Sequence, residues 1–117
     1  MKRDINLFIE DILESIKNIE EFTKGIEKEK FLKDKLRQSA VIRQLETIGE
    51  AVKNIPSSFR DKYPNVPWKL IAEFRDVLTP AYFGVILDRV WNVTGRDLLI
   101  LKKEIEKIKT REAKKSN

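Results

Sequence analysis

The stretch INLFIEDILESIKNIEEF, residues 5–22, decides the fold. Its apolar residues Ile5, Phe8, Ile9, Ile12, Ile16, Ile19 and Phe22 recur at spacings of three and four, which places them on one face of an α-helix. A half-buried strand would instead alternate at a period of two. Asp4, Glu10, Asp11 and Glu14 interrupt the apolar residues, so the segment reads neither as a signal peptide nor as a membrane span. The helix is expected to stop near Gly25.

Outward from this helix the same period recurs. Phe31, Leu32, Leu36, Val41, Leu45, Ile48 and Val52 form a second stripe between about Lys28 and Asn54, with an irregular turn expected around Lys33 to Lys35, and Pro56 ends it. Within it, Gly49 and Ala51 replace larger side chains, the substitution that lets another helix approach closely. The run PSSFRDKYPNVPW, residues 56–68, reads as a connector with one short helical turn, and Pro67 suits the first position of a third helix reaching about Thr79. A fourth, long helix is expected from Leu87 or Asp88, carrying Val90, Trp91, Leu98, Leu101, Ile105 and Ile108. The polar end, residues 110–117, is expected to fray. The expectation is an all-α protein, an uneven four-helix up-and-down bundle forming a single domain over residues 1–117.

Composition agrees with that class and narrows the chemistry. Of 117 residues, 41% are hydrophobic and 37% charged, with four glycines and four prolines, a balance suited to amphipathic helices. There is no cysteine and no histidine. Disulfides and thiolate metal sites are thereby excluded, and so is the commonest general acid/base. Proton transfer or charge stabilisation must come from carboxylates, Arg, Lys, Tyr or hydroxyls. The net charge of +5 is compatible with a polyanionic partner, although acidic residues are interspersed almost everywhere. No Gly-rich phosphate loop, metal-ligand cluster or Ser/Cys nucleophile pattern appears, so no cofactor and no metal is expected, and the protein is expected in the cytoplasm.

The stretch FRDVLTPAYFGV, residues 74–85, sets an arginine among apolar neighbours and a proline where a helix could have run on. On a helical wheel Trp68, Leu70, Ile71, Phe74, Val77 and Leu78 share a broad apolar arc, and Lys69, Glu73 and Asp76 fall opposite. Arg75 projects from the apolar side. A guanidinium there must snorkel, pair with an acid or carbonyl groups, or meet an anion such as phosphate. Pro80 biases Thr79 away from α geometry and ends the helix, leaving Tyr82 on a connector.

Residues 40–91, and more loosely nearly the whole chain, resemble the HepT-like branch of the HEPN superfamily, through the ordered run IGEA, IP, P-x-x-PW, R-D-x-L, YFG and VW. That resemblance implies a bundle that forms a homodimer, and a toxin whose antitoxin is a minimal nucleotidyltransferase. It also implies metal-independent endoribonuclease activity, in which Arg stabilises the phosphorane and His moves protons across a cleft shared by two copies. The family pattern is Arg, four residues, His, one residue, Tyr. Arg75 and Tyr82 match its ends, Asp76 and Thr79 lie in the spacer as supporting candidates, and Pro80 occupies the histidine position. The resemblance makes Tyr82 the acceptor to which the antitoxin transfers AMP. With Pro80 in place the chain is expected to be weakened or inactive. Two other readings stay open: a non-catalytic helical dimer that binds the nucleotidyltransferase, and a module that binds RNA without cutting it.

Overall fold

The computed structural model describes residues 4–69, 71 and 85–115. Among these the regular structure is helical throughout, with no strand, as the periodicity predicts. Helix α1 spans Ile5–Thr23, α2 Lys28–Lys33, α3 Lys35–Lys53 and α4 Ser57–Arg60. Helix α5 covers Val85–Asn92, a π-helical turn follows over Val93–Asp97, and α6 runs from Leu98 to Lys115.

Asp4 caps α1, its carboxylate accepting from the Asn6 N–H at 2.9 Å. The helix ends where Gly25 adopts φ 74°, a left-handed conformation that glycine reaches without steric cost. Chain reversal then lays α3 antiparallel to α1. Arg37 at the start of α3 donates from Nη1 to the Phe22 carbonyl at 2.8 Å, and further along Asn18 Nδ2 donates to Gln44 Oε1 at 3.2 Å. Ile9, Ile12, Ile16 and Ile19 of the first stripe are buried, and so are Val41, Leu45, Ile48 and Val52 of the second. Gly49 and Ala51 are buried with them, where small side chains suit close packing.

The irregular turn expected near Lys33 to Lys35 falls at Asp34. Its carboxylate accepts from the Arg37 backbone N–H at 3.1 Å and from Arg37 Nε at 3.0 Å. The backbone hydrogen bond above all, with the Arg37 charge beside it, holds the Asp34 carboxyl below its ordinary pKa. Buried Gln38 donates from Nε2 to the Phe31 carbonyl at 2.9 Å, joining the Asp34 N–H that the same carbonyl accepts at 3.2 Å. The second stripe needs a correction. Leu36 is 81% exposed and Leu32 38%, whereas Phe31 is fully buried; within α3, Leu36 stands five residues before Val41, about 140° away from the buried face.

The fourth helix needs a correction as well. It is not continuous from Leu87 or Asp88: the π-turn divides it, and Gly95 departs from helical geometry at ψ −107°. A π-turn inserts one extra residue. Val90 and Leu98, eight residues apart, are both buried, although eight residues of uninterrupted α-helix would put them about 80° apart. Leu101, Ile105 and Ile108 continue the buried face of α6, and Lys102 Nζ meets Glu20 Oε1 at 3.1 Å as α6 packs back along α1.

Candidate functional site

Arg75, Asp76, Thr79, Pro80 and Tyr82 lie outside the described residues, as does most of the third helix in which the first two were placed. The structure does describe how the chain enters and leaves that segment. On the entry side Ile71 N–H donates to the Pro67 carbonyl at 3.1 Å, so the helix begins within one residue of the position that Pro67 predicted. Trp68 anchors it: the ring is buried, and its indole Nε1–H is shared between the Tyr63 carbonyl at 2.9 Å and the Arg60 carbonyl at 3.1 Å. Ile71, four residues before Arg75, is buried in the core.

On the exit side α5 is held against α2. The Trp91 ring packs on Phe31 with centroids 5.2 Å apart, and Lys28 Nζ lies 2.8 Å from Asp88 Oδ1. The ion pair is solvent-exposed and adds little; the aromatic contact carries most of the anchoring. The described chain is therefore well packed on either side of residues 72–84, at Trp68 and Ile71 before them and at Val90 and Trp91 after them.

The connector that leads to Trp68 has its own tether, which the sequence reading missed. The Tyr63 hydroxyl donates to Glu112 Oε2 on α6, Lys62 Nζ lies 4.0 Å from the same oxygen, and the Arg111 guanidinium sits over the Tyr63 ring at 5.9 Å. Burial, and then the neighbouring Glu112 carboxylate, push the Tyr63 phenol up to about 12. Tyr63 is thus a fixed neutral donor at physiological pH and no candidate for a base. A tyrosine between two proline-rich turns hints at an anchor, but nothing local pairs it with a carboxylate 49 residues away.

Among the described residues no group of three His, Cys, Asp or Glu side chains could hold a metal ion. No described helix is long and apolar enough to cross a membrane.

Comparison with known proteins identifies the family. The chain matches the family described as "Ribonuclease HepT-like" over residues 12–108. It is 49% identical over 109 residues to a "Probable ribonuclease HepT" of Thermococcus cleftensis, covering 93% of this chain and 99% of that one. It is also 49% identical over 108 residues to a "Gamma-glutamylcyclotransferase and putative RNase" of Methanocaldococcus jannaschii; there the match takes in 92% of this chain but spans about half of the relative's length, 49%. A "Putative RNase" of the same organism is 45% identical over 105 residues, which are 90% of this chain and 96% of the relative. No solved structure matches the chain. With a family match across most of its length and relatives covered nearly end to end, the chain belongs to the HepT-like ribonuclease family.

Proposed function

We propose that the chain is the RNase toxin subunit of a toxin–antitoxin pair, acting as a homodimer and neutralised by a nucleotidyltransferase that transfers AMP from ATP to Tyr82. The observation that carries this reading is the family match over residues 12–108, which includes the Arg75 and Tyr82 positions. In the proposed reaction the RNA 2'-hydroxyl attacks the adjacent phosphorus, the bond to the 5'-oxygen breaks, and the products are a 2',3'-cyclic phosphate and a 5'-hydroxyl. The proton lost by the 2'-oxygen must leave and one must reach the 5'-oxygen. Arg75 stabilises the charge that gathers on the phosphorane, a role suited to a permanently charged planar fork. AMP on Tyr82, two residues beyond Pro80, places a bulky anion close to Arg75 in sequence and competes with RNA for it.

Pro80 brings no ionisable group to the position where the family pattern has histidine. Loss of a proton-transfer residue lowers the rate by about 10²- to 10⁴-fold. The substitution Pro80→His is therefore expected to raise RNA cleavage, assayed in EDTA, by at least about 10²-fold, and adding Arg75→Ala to remove the gain. Equal cleavage by the parent and Pro80→His chains would refute the assignment of the proton-transfer position. Pro80 also favours a second reading, a non-catalytic dimer that keeps only the antitoxin contact. Incubation with the cognate nucleotidyltransferase and ATP separates the readings from a plain RNA-binding module: intact-mass measurement should register added AMP on the parent chain and its loss in Tyr82→Phe.

A further inference from the structure

The charge of this protein is unevenly placed. Residues 98–115, the span of α6, contain seven basic and three acidic residues, so four of the five net positive charges of the whole chain fall in that one helix. Of its three acids, Glu112 accepts from Tyr63 on the connector, and Glu104 lies 3.3 Å from Lys107 Nζ of the same helix. On the solvent side Lys103, Lys107, Arg111 and Lys114 are exposed and line an open groove with Thr110 and Glu106. Their spacing of four, four and three residues aligns them as a straight ridge about 16 Å long. The ridge borders the connector through Arg111 on the Tyr63 ring and Lys62 near Glu112, and the connector continues in sequence to Trp68 and the Arg75 segment.

We propose that this ridge is a docking track for the phosphate backbone of a single RNA strand, apart from the Arg75 segment; the inference rests on the RNA reading above. A row of cations on one exposed helix face, whose aromatic neighbour Tyr63 is buried beneath Arg111 and offers no platform to a base, fits a backbone rather than bases. The Lys107–Glu104 pair is exposed and weak, so a phosphate can replace the carboxylate with little loss.

The test uses the full chain and a single-stranded 2'-O-methyl RNA, which keeps the phosphates and removes the attacking hydroxyl. Binding is measured across salt concentrations for the parent, for Lys103→Gln/Lys107→Gln/Lys114→Gln, and for Lys17→Gln/Lys24→Gln/Lys53→Gln, which removes the same charge from other exposed positions. Each phosphate neutralised on a single strand adds roughly 0.7 to the slope of log affinity against log salt. Removing three ridge cations should therefore make that slope shallower by about 2, whereas the control should stay near the parent value. Melting curves should match, because all six lysines are exposed. Equal slope changes in the two variants would mean that only net charge matters and overturn the ridge. A parent-like RNA slope in the ridge variant, together with abolished binding to poly-glutamate, would overturn the RNA track and assign the ridge to an acidic protein instead. If no chain, parent included, binds RNA, the RNA reading itself fails and takes this inference with it.

Discussion

The two interruptions in the helical pattern, at Asp34 and at Gly95, solve the same problem by different means. At Asp34 the helix stops and restarts, and side chains add to the backbone hydrogen bonds there: Asp34 accepts from Arg37 N–H, and Gln38 donates to the Phe31 carbonyl, which also accepts from the Asp34 N–H. At Gly95 the helix kinks, and no side chain caps the kink. An extra residue is absorbed in the π-turn Val93–Asp97, with Thr94 Oγ1 donating to the Trp91 carbonyl at 2.6 Å. The first interruption is built from local polar chemistry, while the second is held by what α5 and α6 pack against. Phe31 joins them: its carbonyl belongs to the first break, and its ring meets Trp91 just before the second.

The largest expected effect comes from removing that shared residue. Phe31→Ala should cost about 3–5 kcal/mol in denaturant unfolding, since a fully buried ring is replaced by a cavity at the junction of α2, α3 and α5. A cost near 1 kcal/mol would mean that the two interruptions are not coupled through this side chain. Asp34→Ala should have a smaller effect, lowering the melting temperature and changing its acid dependence. The Asp34 pKa is depressed in the folded state, so its contribution is present above the unfolded carboxylate value and fades as pH falls through the folded one. The parent should therefore lose stability on acidification more steeply than Asp34→Ala; parallel acid profiles would break the claim that local polar chemistry builds the first interruption. The smallest effect is expected at the second. Thr94→Val deletes only the hydroxyl at the π-turn and should cost less than about 1 kcal/mol, and a loss as large as that of Phe31→Ala would show that side-chain chemistry governs both.

Much of the fold is legible in the residues. The α1 stripe, the stop at Gly25, the break near Asp34, the turn after Pro56 and the start at Pro67 all follow from period, caps and prolines, because each depends on neighbours a few residues away. Leu36 lies outside the core despite its place in the stripe, because it stands five residues before Val41 in the same helix, about 140° from the buried face. Of the candidate site, sequence pattern supplies Arg75, Tyr82 and the departure at Pro80, and the structure supplies the buried supports before and after them.

The sequence by itself determined the all-α class, the helix-terminating signals, the family and the absence of histidine and cysteine chemistry, since periodicity, residue type and ordered motifs are properties of the chain alone. Only the tertiary structure decided that Tyr63 donates to Glu112, that Trp91 meets Phe31, and that a π-turn brings Val90 and Leu98 into one core. Each of these depends on which helix faces which across tens of residues, and that is set by packing of whole apolar faces rather than by any local preference.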